Sequence, residues 1–243
     1  MTPTLLLALL PLALAAGGES TPPLPSEAEV LRRFEIAMGP GEARATLTAW
    51  RATGVVEGEE GTITIVRQRP DRLRVEIQLE GRRRWLGSDG DLAWQEGVGE
   101  GPPQAVPLEP EAAKRLQEAW ADFDGPLFDP RSKHIEVRVM GWGAVSGRRS
   151  LRLAVTHPTG RVESWHLDAE TYRPLERTTV DRVWVFHEFE RVSGVMLPKR
   201  FELREGSQTH RYRLETFEVE PLLDPAIFRL PQGVRPETTP GGP

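Results

Sequence analysis

The chain has 243 residues, a formal net charge of -5 and no cysteine. The missing cysteine removes disulfides, thiolate nucleophiles and cysteine metal sites together, and an acidic balance without a basic block excludes a nucleic-acid footprint. At this length one large β domain or two small ones is expected.

Residues 5 to 16, L-L-L-A-L-L-P-L-A-L-A-A, form a short uncharged apolar run, and Ala13 and Ala15 suit a signal-peptidase site. The run is too short to span a bilayer, which takes about 20 residues. Residues 1–16 are therefore predicted to be a secretory signal and 17–26, with three prolines, a flexible linker. Without a cysteine to carry a lipid anchor, the product is expected to be free in the periplasm.

A helix should follow. Ser26 has the N-cap position with Glu29 three residues on, and Val30, Leu31 and Phe34 share a face before Met38-Gly39-Pro40-Gly41 stops it. From Ala45 the period changes to two, with strands predicted at 45–53, 62–69, 72–80 and 82–87. The clearest is L-R-V-E-I-Q-L, where Leu73, Val75, Ile77 and Leu79 form one apolar face. Asp89-Gly90 marks a hairpin turn before L-A-W-Q. Residues 97–110 read as a loop and 111–123 as a helix with Leu116 and Trp120 near one face. Further strands are predicted at 134–140, 150–157, 161–168, 174–182, 183–191, 195–204 and 208–219, and a disordered tail at 232–243. About eleven strands with two or three helices argue for one large antiparallel sheet, curled or closed, with helices over an opening.

Chemistry motifs are sparse. The five histidines, His134, His157, His166, His187 and His210, fall in separate segments without zinc-ligand spacing, so no metal site is expected. The sequence has no nucleophile elbow, P-loop or dinucleotide fingerprint, so neither a cofactor nor a catalytic residue is assigned. Acidic pairs such as Asp122 with Asp124, or Glu188 with Glu190, read as solvated surface. The less ordinary feature is seven Trp against two Tyr. Indoles suit apolar cavities as well as cores.

A set of weak motifs in a consistent order resembles the LolA-like family of outer-membrane lipoprotein-sorting carriers. F-E-I-A-M-G at 34–39 resembles the end of that family's first helix, and P-D-R-L-R-V-E at 70–76 its early strand. D-G-D-L-A-W at 89–94 is similar to its hairpin, D-F-D-G-P-L at 122–127 to the segment after its lid helix, and L-D-A-E-T-Y-R-P-L at 167–175 to a later strand end. F-E-R-V-S-G-V-M-L-P at 189–198 and F-R-L-P at 228–231 resemble its closing motifs. The resemblance covers about residues 27–231. It implies a mainly β fold with a few α helices: a curved antiparallel sheet forming an unclosed barrel with a helical lid, over 27–231 as a single domain. It further implies a non-enzymatic, monomeric carrier of lipid or lipoprotein acyl chains that meets membrane-bound delivery and acceptor proteins.

On that reading Leu73, Val75, Ile77 and Leu79 line the cavity, with Trp50, Trp94, Leu116 and Trp120 as wall or lid contacts. Two alternatives stay open: an envelope interaction module that pairs through a sheet edge, and a hydrolase with a dispersed site such as His187 with Glu188 or Asp168.

Overall fold

The computed structural model describes residues 22–96, 105–119 and 125–231. The predicted leader, residues 17–21 of the linker, the tail 232–243, Trp120 and the Asp122/Asp124 pair lie outside the described residues. Two helices open the described chain, α1 (Glu27–Met38) and α2 (Gly41–Thr46). Six strands follow: β1 (Ala49–Val56), β2 (Gly61–Gln68), β3 (Arg72–Leu79), β4 (Arg82–Asp89), β5 (Ala93–Glu96) and β6 (Ala105–Pro107). After α3 (Pro110–Ala119) come β7 (Glu136–Val145), β8 (Arg148–Thr156), β9 (Val162–Asp168), β10 (Pro174–Thr178), β11 (Arg182–Val192), β12 (Val195–Glu205) and β13 (Gln208–Val219). A 3-10 turn at Pro225–Phe228 is the last element among the described residues.

All thirteen strands form one antiparallel sheet in the order β6-β5-β4-β3-β2-β1-β13-β12-β11-β10-β9-β8-β7. Pairing of β1 with β13 sets the chain's first strand in the middle of the sheet and leaves β6 and β7 as the two edges. The sheet is curved and unclosed, as the resemblance implies, and its seam lies between two strands that the chain joins through α3. Register shifts in β1, β7, β10 and β11 mark the bends, since a bulge increases local twist and curvature.

The hairpin joining β11 to β12 shows how local chemistry sets this geometry. Ser193 and Gly194 have φ of 47° and 84°, the left-handed pair that a two-residue turn needs to match strand twist. Pro198 sits opposite Phe189 beside the β11 bulge, and the ladder to β13 begins only at Arg200. Pro198 therefore occupies a place that asks for no backbone N–H.

The concave face carries two apolar clusters. One joins β1–β3 to β11–β13, with Leu116 of α3 packed into it. The other lies on β7–β9 under α1, which buries Val30, Phe34 and Met38 at four-residue intervals. Ser26 caps α1 by accepting from the Glu29 amide at 3.3 Å, as its sequence predicts. Phe189 packs against both clusters.

Three differences from the predicted elements stand out. Residues 41–46 are helical where a strand was expected to begin at 45: Arg44 donates to Gly39 O and stacks on Phe128 at 3.9 Å, so tertiary contact overrides the alternation. A short strand, β6, lies inside the predicted loop. The strand predicted at 174–182 stops at Thr178, where Thr179 N bonds Arg182 O at 2.8 Å to close a turn.

Candidate functional site

Strand pairing decides which side chains share the concave face. Ile63 stands opposite Ile77, Ile65 opposite Val75 and Arg67 opposite Leu73 across β2 and β3. On the other side of β2, Arg67 faces Trp50 and Ile65 faces Ala52. Every second residue of these three strands thus joins one continuous inner wall. Trp184 and Phe186 on β11, Leu197 and Phe201 on β12 and Leu214 on β13 supply the facing wall.

Between the walls lies a small pocket bounded by Trp50, Ile65, Trp184, Phe186, Leu197, Pro198, Phe201 and Leu214. Its volume is about 10 Å3, no more than roughly one water needs. Every bounding residue is apolar except for two indole N–H groups, so the pocket is a dry cell that excludes ions. Rings interlock around it: Trp184 and Phe201 lie 5.8 Å apart and Phe201 and Tyr212 5.2 Å.

Of the residues singled out from sequence, Trp50, Leu73, Val75 and Leu116 are buried in this cluster, while Ile77 and Leu79 pack against it half-buried. Trp94 is placed elsewhere. Its partner on β4 is Gly87, opposite Arg74 on β3, and these belong to the convex face. There the Trp94 Nε1–H donates to Phe228 O at 3.0 Å, and its ring meets Trp85 edge-on at 5.8 Å. The Arg74 guanidinium approaches both rings and donates to Ile227 O at 2.7 Å. Trp94 thus clasps the C-terminal 3-10 turn behind the pocket wall. Trp120 lies outside the described residues.

Two polar features of the interior were missed. Arg67 is 4 % exposed and belongs to the inner wall; the parity of Ile63 and Ile65 would have placed it there. Burial also holds the Tyr212 hydroxyl well above the ordinary tyrosine value. The second is Glu163 on β9, which is wholly buried. Its carboxylate accepts from Arg177 Nε and Nη2 at 2.9 and 3.0 Å, and from Trp165 Nε1 at 3.0 Å. His157 Nε2 and Arg161 Nη2 each lie 3.0 Å from its Oε1. Burial alone would raise this carboxyl, but the His157 hydrogen bond and the Arg177 charge outweigh it and hold it well below the usual carboxylate range. Arg177 pairs with Trp184 across β10 and β11, so this ionic cluster abuts the apolar cell.

The residues of the hydrolase alternative have other engagements. Asp168 Oδ1 accepts from Thr171 N at 2.8 Å and its Oδ2 from Arg148 at 2.6 Å. His187 is exposed at the β11 bulge. Ser150 Oγ lies 2.9 Å from His166 Nδ1, but Ser150 is wholly buried and closed to a substrate. Among the described residues no three His, Asp or Glu converge as metal ligands, and no helix is long and apolar enough to cross a membrane.

Two solved structures share this architecture. A LolA superfamily protein, NE2245 from Nitrosomonas europaea, superimposes with a TM-score of 0.51 at 12% identity, over 85% of this chain and 98% of its own. A DUF1329 family protein from Desulfovibrio piger ATCC 29098 gives 0.51 at 9% identity, over 84% of this chain and 95% of its own. At these identities the likeness is one of fold, and the fold is LolA-like. No family model matches the chain, and no curated protein matches it.

Proposed function

We propose that the chain is a non-enzymatic carrier that holds the acyl chain of a lipid or lipoprotein within the concave face of its sheet, with α3 as the lid. The observation that carries this reading is the apolar cell between the two walls, set in the core cluster that Leu116 of α3 also joins. Its small volume describes a shut, self-filled state. Loading then requires α3 to yield, and the exchange is favourable on magnitude. Each methylene taken from water contributes about 0.8 kcal/mol, so ten contribute about 8. Lifting Leu116 back into solvent costs roughly 1.5–3 kcal/mol. The net favours a long chain over a short one.

Export to the periplasm rests on the leader pattern of residues 1–16. Membrane-bound donor and acceptor proteins belong to the same reading, since a shuttle needs both. The LolA-like fold supports it as an architecture, since the family resemblance implies a sheet curved around an apolar cavity.

One observation favours the edge-pairing alternative. β6 is three residues long and ends in Pro107, a blunted edge, whereas β7 offers ten residues. Native mass spectrometry with lipid extraction, on protein purified without detergent, separates the two. A co-purifying acyl ligand supports the carrier; protein that arrives empty and refuses added fatty acid defeats it and leaves β7 as the surface to test.

A further inference from the structure

A groove of about 610 Å3 opens at the rim of the sheet and shares no lining residue with the apolar cell. Its walls are the extended Pro22–Pro25 segment, the start of α1, the β7–β8 hairpin and the turn after β9. Six charged side chains face it, three arginines and three carboxylates. Four of them are already committed. Arg33 pairs with Glu29 and donates to the Tyr172 hydroxyl at 3.2 Å. Arg148 pairs with Asp168, whose other oxygen takes the amides of Glu170 and Thr171.

Arg149 and Glu170 remain. The Arg149 guanidinium lies over the Trp142 ring at 4.3 Å, and that indole is fixed by its own hydrogen bond to Pro22 O at 2.9 Å. Stacking of this kind orients a guanidinium and leaves its N–H edge for a bidentate anion. Glu170 is exposed on the turn, whose Ala169 amide bonds the Arg149 carbonyl at 3.1 Å, so both residues belong to one stretch of rim. Among the described residues neither has an ion-pair partner.

We infer that the groove binds a small zwitterion, its anionic group on Arg149 and its ammonium group on Glu170. With lining charges that sum to zero, a ligand of a single sign gains at one residue and is opposed at the other. A zwitterion satisfies both. The groove's volume falls in the range of small-molecule sites. The chemistry is that of a phosphoethanolamine headgroup, which reaches the groove either as part of a lipid or as a free soluble compound. The inference stands apart from the acyl-chain reading, since no residue is common to the two sites.

The test is calorimetric titration of the full chain with glycerophosphoethanolamine, glycerophosphate and ethanolamine. A charge-assisted contact contributes about 1.5–3 kcal/mol, so the zwitterion should bind at least about tenfold more tightly than either half. Arg149→Gln should abolish the preference over ethanolamine, and Glu170→Gln the preference over glycerophosphate. Both side chains are exposed, and circular dichroism checks that the variants fold. Equal binding of all three compounds, no binding of any, or wild-type preference in both variants overturns the inference. Flotation with phosphatidylethanolamine and phosphatidylglycerol vesicles then assigns the source. Arg149-dependent and Glu170-dependent retention on the former alone marks a lipid headgroup; soluble binding without retention marks a free compound, and either supports the site.

Discussion

Trp50 on β1 and Arg67 on β2 stand directly opposite each other on the concave face, so a buried guanidinium borders the indole that walls the apolar cell. An ionised fatty acid drawn into that cell brings a carboxylate to the same neighbourhood. Arg67→Met keeps the length of the side chain and removes its charge. A hydrogen bond to a charged group contributes about 1.5–3 kcal/mol, so palmitate should bind at least tenfold more weakly, while an uncharged alkyl probe changes less than threefold. Fluorescent-probe displacement by the two ligands measures this. An equal loss for both would mean that Arg67 only shapes the fold.

Leu116→Ala tests α3 as a lid. Leu116 joins the pocket cluster from outside the sheet, and a buried Leu→Ala change typically costs about 2–5 kcal/mol. The loss should be local. Hydrogen exchange should quicken across 110–119, and a fluorescent fatty acid should associate faster, while strands β8 and β9 keep wild-type protection. Uniformly faster exchange throughout the sheet would show that α3 is a core element and not a cover.

Gly87→Ala tests the convex clasp. A Cβ at Gly87 would meet the Trp94 ring at 2.5 Å and the Leu73 carbonyl at 3.0 Å. Neither can move cheaply, because Trp94 is held by Phe228 O and Leu73 lies in the inner wall. Overpacking of this kind costs about 1–3 kcal/mol, or a melting temperature lower by roughly 2–12 °C for a domain of this size. Limited proteolysis should then cut near 225–231 sooner than in wild type. Unchanged cleavage would dissociate Trp94 from the C-terminal turn.

Trp94 and the residues of the two walls show how far the sequence could be read. Strict alternation in L-R-V-E-I-Q-L put Leu73, Val75, Ile77 and Leu79 on one face, and the ladder keeps them there. Trp94 follows a turn, which resets parity, and only pairing with Gly87 shows that it faces outward. The facing wall was hidden for a similar reason: the β11 bulge at His187 shifts the pattern of Trp184 and Phe186 so that Phe189 returns to the inside. Arg67 broke no pattern, but composition argues against burying an arginine. The clasp joins residues 134 positions apart, a contact no local window contains.

Glu163 makes acid sensitivity predictable in sign. Burial opposes its ionisation, yet the His157 hydrogen bond and the Arg177 charge hold its carboxyl below the value of 4.5 expected when unfolded. A carboxyl whose folded pKa is depressed binds fewer protons folded than unfolded, so its contribution is complete above about pH 5 and lost as pH falls through and below 4.5. Glu76, Asp168, Glu202 and Glu220 are depressed in the same direction, which adds to the slope. Glu163→Gln removes the charge but leaves Arg177 buried and Arg161 nearby, and breaking one side of a buried pair costs about 3–5 kcal/mol. The variant should therefore melt lower at pH 7, and its melting temperature should fall less steeply than wild type between pH 5 and pH 3. Thermal unfolding at half-unit pH steps measures both quantities. Parallel pH curves for the two proteins would place the acid sensitivity in the other carboxylates and leave Glu163 a packing element only.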